Sequence, residues 1–434
     1  MGICKRVNAE IYTFFINLKI ENFVMKKMLI NITKKSRSRI ALIENQKLYN
    51  FDVEDVNHKR KKSSVYKGKI VHIVPSLEAV FVDYGTCKNG FLPFREISCE
   101  YFFNKNITKN RYNIKNVLKK GQECIVQVNK EERGNKCALL TTFISLAGSY
   151  IVLFPKNPGF LGISRKISGK YRNSIKKTLL LLKVPIEMGI IFRTASLGKS
   201  VEILQIDLMC QLQNWKKIKE AYQSNCSPCL IYQENNIIFR ALRDYLYHDI
   251  QEVIVDDSKF LVCIYQYISL LGKSNFRDRI KLYTGTSSLF SYYQIESQIN
   301  SIFQRNIILP SGGSITIDTL EALTAIDINS FRSNKGLDIE ETALSTNLEA
   351  ANEISRQLRL RDLGGLIVID FIDMTAPLHK RLVINHFRKI LKNDRARIQI
   401  GTISKFGLLE MSRQRLNSSM NKINRNFCSK CNRF

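Results

Sequence analysis

The sequence predicts a multidomain protein of the mixed α/β (α+β) class. The chain has 434 residues, which is enough for two to four domains. Short apolar segments separated by Gly and Pro fill residues 61–142, and this spacing predicts a small β-barrel. Residues 303–424 combine strands with a long amphipathic helix, which predicts a crossover between parallel strands.

The other segments are assigned from the same periodicities. Residues 39–53 alternate apolar and polar side chains about a turn, which predicts a hairpin, and the basic run 58–62 predicts a linker. From about residue 150 to 238 the chain combines the strand "EMGIIFRTAS" with helices such as "LMCQLQNWKKIKEAYQS". Residues 239–302 add a helix–strand unit.

The composition is globular, with a large basic excess. Against 38 Asp and Glu residues the chain carries 67 Lys and Arg, for a net charge of +29. This excess favours a polyanionic partner, nucleic acid first and an anionic membrane surface second. A genome biased towards Lys, Ile and Asn would account for part of it. Eleven cysteines, an odd number, favour a reducing compartment over a disulfide framework.

The sequence predicts neither a membrane span nor a signal peptide. No uninterrupted apolar run approaches the roughly 20 residues that a membrane-spanning helix needs. The weakly amphipathic residues 1–24 are not followed by a small-residue cleavage site. They are predicted to be an unstructured N-terminal extension.

Two acidic residues are predicted to meet in the crossover segment. "SITIDTLEALTAIDINS" (314–330) predicts two strands, the second with Asp327 and Asn329 on one face. A helix follows, capped by Asp338 with Glu341 completing a capping box. The next strand, "GLIVID", ends at Asp370. A strand–helix–strand crossover joins parallel neighbours, so Asp327 and Asp370 are expected side by side.

This pair predicts a metal site. An ionised Asp in so apolar a strand is expected to be buried, which costs several kcal/mol unless a partner neutralises it. Two adjacent carboxylates also repel unless a cation lies between them. Oxygen donors without His or Cys favour Mg²⁺ or Mn²⁺ over zinc. The structural alternative is that one Asp caps a loop and the other pairs with an Arg.

Three long segments resemble the bacterial ribonuclease E/G family, most closely the catalytic half of its proteobacterial ribonuclease E branch. They are "LTAIDINS", "IEETALSTNLEAANEISRQLRLRDLGGLIVIDFIDM" and "RARIQIGTISKFGLLEMSRQRL", and the resemblance runs from about Met25 to Cys431. It implies an endoribonuclease that cuts single-stranded A/U-rich RNA, leaves a 5′-phosphate and a 3′-hydroxyl, and acts in rRNA and tRNA processing and mRNA decay. Mg²⁺ would be held by Asp327 and Asp370, with Asn329 assisting.

The resemblance also implies a domain order. After the extension 1–24, a ribonuclease-H-like scaffold (25–60 and 239–302) would surround an OB-fold RNA-binding barrel (61–142) and a 5′-sensor domain (143–238). A deoxyribonuclease-I-like catalytic domain (303–424) and a zinc-link (425–434) would follow. In the barrel, the resemblance implies that Phe81 and Phe91 stack bases and that Lys136 contacts the RNA backbone. It also implies that a 5′-monophosphate is sensed by Arg193, Thr194, Arg165 and Arg397.

Two C-x-x-C pairs suggest metal chemistry. Cys428 and Cys431 have zinc-ligand spacing but fill only half of a tetrahedral site. The resemblance implies that two protomers share one Zn²⁺ and form a dimer. Cys226 and Cys229 match nothing in the family; a four-cysteine site within one chain and a redox pair remain alternatives. Because the sequence stops three residues after Cys431, neither the family's tetramer nor the partners of its long tail are expected.

Three other functional hypotheses are also compatible with the sequence. The chain could be an RNA-binding protein without catalysis, a basic structural protein at a membrane surface, or an enzyme of the ribonuclease G type. The expected location is the bacterial cytoplasm, either free or peripheral to the inner membrane. The joint presence of Asp327, Asn329 and Asp370 favours the nuclease, because a protein that only binds RNA has no need of them.

Overall fold

The computed structural model describes the chain between residues 25 and 416, apart from several short gaps. The described ranges are 25–33, 37–55, 60–102, 117–132, 136–165, 167, 169–234, 236–246, 250–271, 273–330 and 338–416. The predicted extension 1–24 and the pair Cys428 and Cys431 lie outside them.

The described residues form two compact units. The first contains the described parts of Met1–Val53, His248–Asp257 and Arg279–Phe434, and the second those of Glu54–Tyr247 and Ser258–Asp278. None of the helices in the described ranges combines the length and apolar character needed to cross a bilayer.

Within the described ranges, eleven strands precede the first α-helix, and strands and helices are mixed after it, as expected for a mixed α/β protein. The strands are β1 (Lys26–Thr33), β2 (Arg37–Glu44), β3 (Lys47–Asp55), β4 (Val65–Val74), β5 (Ala79–Asp83), β6 (Gly90–Pro93), β7 (Glu123–Lys130), β8 (Leu139–Thr141), β9 (Leu146–Ala147), β10 (Ile151–Phe154), β11 (Leu161–Ile163), β12 (Gly189–Phe192), β13 (Cys229–Tyr232), β14 (Ile250–Val255), β15 (Ile280–Leu282), β16 (Asn306–Ile308), β17 (Ser314–Thr319), β18 (Leu323–Asn329), β19 (Gly365–Asp370), β20 (Ile398–Ile403) and β21 (Leu408–Arg413). The α-helices are α1 (Lys170–Leu181), α2 (Val201–Ser224), α3 (Ile237–Tyr245), α4 (Ser258–Leu270), α5 (Leu289–Tyr292), α6 (Ile295–Ser301), α7 (Ile339–Leu360) and α8 (Pro377–Leu391).

The second unit contains the predicted barrel. Its strands follow the order β4-β5-β6-β8-β7, and β7 pairs back with β4, so the sheet closes. Closure removes the unpaired strand edges that an open sheet would expose. A separate sheet, β11-β12-β10-β9, packs against α2. Buried Asp207 on α2 accepts hydrogen bonds from the backbone N–H groups of Ser149, Tyr150 and Ile151.

The first unit contains two sheets. One has the order β15-β14-β1-β2-β3, and the other the order β16-β17-β18-β19-β21-β20. Helices α7 and α8 pack on one face of the six-stranded sheet, where Ile326, Ile354 and Phe387 belong to one buried core. The opposite face of its strands carries the exposed and half-buried side chains.

Helix α7 begins as the sequence predicts, with one difference. The Asp338 carboxylate accepts a 2.7 Å hydrogen bond from the Ile339 N–H and caps the first turn. Glu341, predicted to complete a capping box, is exposed. Its neighbour Glu340 instead binds the loop that follows β19.

Candidate functional site

The two predicted acids face each other across neighbouring strands. β18 and β19 are parallel, and Asp327 is the register partner of Asp370. Adjacent strands lie about 4.8 Å apart, and residues in register share a face of the sheet. The sequence therefore predicted this juxtaposition correctly.

The expectation that Asp370 would be buried is wrong. Side chains alternate along β19, so Ile367 and Ile369 are fully buried under the helices while Asp370 lies on the open face. Asp327 and Asn329 are exposed on that face of β18. Because the face is open to solvent, Asp370 does not incur the cost of full burial, and a substrate can reach both carboxylates.

Asn329 holds Asp327 in place. Its Nδ2 donates a 2.7 Å hydrogen bond to Asp327 Oδ2. Two residues apart on one strand, the two side chains share a face. The amide can therefore fix the rotamer of the carboxylate by binding only one of its two oxygens.

Asp373 adds a third carboxylate that the sequence reasoning missed. Partial desolvation, with the charges of Asp327 and Asp373, raises the pKa of Asp370. A Cβ built on Gly407 would lie 3.1 Å from Asp373 Oδ1 and 4.0 Å from Asp370 Oδ1. Asp373 follows Asp370 by three residues in "DFID", a spacing that could have identified it. Negative charge thus accumulates at one point of the open face.

The loop after β19 is braced by α7. The side chain of Asn347, fully buried, donates to the Ile372 carbonyl (2.8 Å) and accepts from the Ile372 N–H (3.1 Å). Glu340 accepts hydrogen bonds from the Thr375 and Ala376 N–H groups, at 2.9 and 3.1 Å. The Thr375 backbone and hydroxyl, together with the Ala376 N–H, lower the pKa of Glu340 to about 2. Residues on both sides of Asp373 are therefore fixed.

The donor set fits a hard divalent cation. Asp327 and Asp370 provide carboxylate oxygens, and these are the ligands that Mg²⁺ prefers. Within the described ranges, no group of three or more His, Cys, Asp or Glu side chains is placed to hold a metal ion. Two protein carboxylates suit Mg²⁺, which usually keeps several of its waters.

The barrel presents a pair of aromatic rings. Phe81 and Phe91 are register partners on β5 and β6, with ring centroids 5.8 Å apart and an interplanar angle of 65°. Both are half-buried on the side of their strands opposite the core residues Val80 and Leu92. Simple core packing does not therefore explain these rings.

Two further polar residues flank the aromatic pair. Exposed His72 on β4 is the register partner of Phe81, and sequence reasoning missed it. The period of two along β4 could have suggested it, although the strand carries a register shift there. Lys136 is exposed two residues before Ala138, whose carbonyl accepts from the Phe91 N–H at 2.8 Å.

Three of the four predicted 5′-sensing residues lie in the second unit. Arg193 directly follows β12, and its guanidinium donates to the Gly148 carbonyl (2.6 Å) and to Asp244 Oδ1 (2.7 Å). Exposed Thr194 comes next. Arg165 follows β11, which is parallel to β12, so both arginines come after the same ends of paired strands. Arg397, exposed just before β20, belongs to the first unit.

Only one cysteine pair lies within the described residues. Cys226 is exposed and Cys229, at the start of β13, is half-buried; both are free thiols. The structure therefore leaves the proposed role of the other pair, Cys428 and Cys431, as a prediction.

Comparison with known proteins identifies the family. Residues 59–142 match the S1 RNA binding domain, and residues 145–416, more than half of the chain, match the Ribonuclease E/G family. The chain belongs to the ribonuclease E/G family. Within it, the chain is 58% identical, over 93% of its length, to the putative ribonuclease E of Buchnera aphidicola subsp. Baizongia pistaciae, of which it covers 98%.

Other ribonuclease E/G family members extend this comparison. Ribonuclease E of Escherichia coli is 58% identical over 94% of this chain, whereas ribonuclease G of the same organism is 30% identical over 93%. The predicted closeness to the ribonuclease E branch is thus confirmed. The chain spans 42% of ribonuclease E from Buchnera aphidicola subsp. Schizaphis graminum and 38% of the Escherichia coli protein, less than half of each relative.

Proposed function

We propose that this chain is a metal-dependent endoribonuclease of the ribonuclease E type. It would cut single-stranded A/U-rich RNA by attack of water on a phosphodiester, leaving a 5′-phosphate and a 3′-hydroxyl. The observation that carries the proposal is the register pairing of Asp327 with Asp370 on an open sheet face. A protein that only bound RNA would gain nothing from two facing carboxylates, since they repel its phosphates.

Asp327 and Asp370 would hold the catalytic Mg²⁺. When bound, such an ion supplies Lewis-acid chemistry, activating water and offsetting charge on the reacting phosphate. Asn329 keeps one Asp327 oxygen engaged, so that the carboxylate does not need to reorganise during the reaction. Asn347 and Glu340 act as positioning residues, because they fix the loop after Asp370.

The barrel would bind the RNA strand. Phe81 and Phe91 offer aromatic faces on which unpaired bases can stack, and a paired base cannot reach them in a duplex. Lys136 would contact the phosphate backbone, and the net charge of +29 would draw the strand to the protein. Stacking tolerates many sequences, so the A/U preference would depend on how readily the strand unstacks.

A 5′-monophosphate would be sensed by Arg193, Thr194 and Arg165, with Arg397 contributing. Two donors of Arg193 are engaged by Gly148 and Asp244, which would orient the guanidinium and leave its remaining N–H groups for an anion.

Finer assignments complete the proposal. Residues 25–60 with 239–302 would be ribonuclease-H-like, 143–238 the 5′-sensor domain and 303–424 deoxyribonuclease-I-like. Residues 425–434 would be a zinc-link, in which Cys428 and Cys431 of two protomers share one Zn²⁺ and join a dimer. The cytoplasm would be the site of action.

The direct test is metal-dependent cleavage of a defined substrate. Purified protein is incubated with a 5′-monophosphorylated A/U-rich oligonucleotide in Mg²⁺ or in EDTA, and product ends are identified by mass spectrometry. We expect internal cutting only with Mg²⁺, with 5′-phosphate and 3′-hydroxyl ends and little cutting of the duplex. Equal cutting in EDTA, or a cyclic 2′,3′-phosphate product, would contradict the proposal.

Replacing Phe81 tests the barrel surface. We expect Phe81→Ala to weaken single-stranded RNA binding by about 1–3 kcal/mol, the contribution of one stacked base, and Phe81→Trp to preserve it. Fluorescence anisotropy in EDTA measures binding without cleavage, and circular dichroism checks the fold. If both variants bind like the wild-type protein, Phe81 is a packing residue and not a stacking platform.

A further inference from the structure

An exposed phenylalanine lies at the turn beside the acidic cluster. Residues 404–407 connect β20 to β21. In this turn the side chain of Phe406 is 86% exposed, and Lys405 is exposed next to it. Isolated apolar residues at a surface are common and need no explanation by themselves. Phe406 differs from such residues in its location and in the fixed backbone of its turn.

The turn is held in one conformation. The Ser404 N–H donates to the Leu408 carbonyl at 2.8 Å, and the Gly407 N–H donates to the Ser404 carbonyl at 3.2 Å. The Phe406 N–H donates to Ser404 Oγ at 3.2 Å. Gly407 has a φ of 78°, in the left-handed region that favours glycine. The backbone that carries Phe406 is therefore fixed before any ligand binds.

The same turn contacts the carboxylates. Gly407 approaches Asp373 and Asp370 so closely that a Cβ there would lie 3.1 and 4.0 Å from their Oδ1 atoms. Consecutive Cα atoms are about 3.8 Å apart. Phe406 is thus the direct sequence neighbour of the glycine that approaches the acidic cluster.

We propose that Phe406 is a base-stacking subsite for a nucleotide next to the scissile phosphate, and that Lys405 contacts the adjoining backbone phosphate. The inference rests on the proposed nuclease function and extends it to substrate positioning. Binding at Phe406 needs little ordering of the backbone, because the turn is already held by its own hydrogen bonds. Stacking on Phe406 would hold the strand so that one phosphate meets Asp327 and Asp370. It would also reject a duplex, whose bases are already stacked.

The test combines protein variants with base-deleted RNA. A single-stranded oligonucleotide with one cleavage site is prepared in several versions. Each version carries one abasic residue, at one of the two nucleotides on either side of that site. Wild-type protein is compared with Phe406→Ala, Phe406→Trp and the control Leu320→Ala. Leu320 is 64% exposed in the turn between β17 and β18, at the end of β18 opposite Asp327. 2-Aminopurine at the same RNA positions reports stacking directly in EDTA.

We expect Phe406→Ala to lower kcat/KM about 5- to 150-fold, the range for one stacked base, with Phe406→Trp and Leu320→Ala close to wild type. With the wild-type protein, an abasic residue at one position should lower kcat/KM by a similar factor. With Phe406→Ala the same abasic residue should have almost no effect, since each change removes the same contact. The 2-aminopurine quenching at that position should disappear in Phe406→Ala.

Several outcomes would overturn the subsite. The first is a kcat/KM of Phe406→Ala equal to that of the wild-type protein. The second is a full loss of kcat/KM on abasic RNA in Phe406→Ala, and the third is 2-aminopurine quenching that is the same with and without the Phe406 ring. If wild-type protein cuts RNA and any of these is seen, the subsite fails while the nuclease proposal stands. If wild-type protein cuts nothing, the nuclease proposal fails, and the quenching in EDTA still decides whether Phe406 stacks a base.

Discussion

Replacing Asp327 or Asp370 by Asn should reduce RNA cleavage by at least roughly 10²–10³-fold, the loss typical of removing one preorganised electrostatic group. Asn has nearly the same shape but lacks the negative charge that attracts a divalent cation. RNA affinity should stay close to that of the wild-type protein, because the proposed stacking residues are unchanged. Single-turnover cleavage and anisotropy measure the two quantities separately.

The control for this prediction is Asp318→Asn. Asp318 is on β17, on the same open face, and its carboxylate pairs with Arg305 at 2.7 Å. We expect normal cleavage, because Asp318 has no carboxylate as its register partner: it faces Ala325. The double variant of Asp327 and Asp370 should be little worse than either single variant, since residues that act as a unit give non-additive losses. Normal cleavage by Asp370→Asn would remove this residue from the mechanism.

Replacing Arg413 by Met should lower the free energy of unfolding by about 3–5 kcal/mol, the usual cost of breaking a buried ion pair by removing one partner. Arg413 pairs with Asp362 at 2.8 Å and with Asp394 at 2.9 Å, and its side chain is only 2% exposed. The change would take the cation away from two buried carboxylates. Urea denaturation followed by circular dichroism measures the loss.

Arg305→Met is the matched control. This arginine also pairs with an Asp, but its side chain is 69% exposed. Exposed pairs add little to stability, so we expect no measurable change. Equal denaturation midpoints for Arg413→Met and the wild-type protein would mean that the buried network does not stabilise the first unit.

The acidic pair could be predicted because it depends on short-range rules. Strand periodicity places Asp327 and Asn329 on one face, and the capped helix α7 forces a crossover to β19. The closed barrel was predictable from strand spacing for the same reason. The alternation of Val80, Phe81 and Val82 further implies that the Phe81 ring lies opposite the core, as the structure places it.

What could not be predicted depends on contacts between distant segments. Asn347 and Glu340 are polar residues of an amphipathic helix, and nothing local indicates that they bind Ile372 and Thr375. The approach of Gly407 to Asp370 requires the pairing of β21 with β19. The burial of Asp370 was mispredicted because an apolar run such as "GLIVID" is typical of a strand covered on both faces. Here the outward residue Leu366 is 62% exposed.

The register between β18 and β19 makes the proposed catalytic activity an all-or-none property of the fold. A slip of β19 by one position would turn Asp370 towards α7 and α8 and expose Ile369 instead. Such a molecule would bury a charged carboxylate and also lose core packing. Both effects raise its free energy, so it would be scarcely populated. Specific activity should therefore report the natively folded fraction of a sample, and mild denaturant should diminish the number of working molecules and not the rate of each.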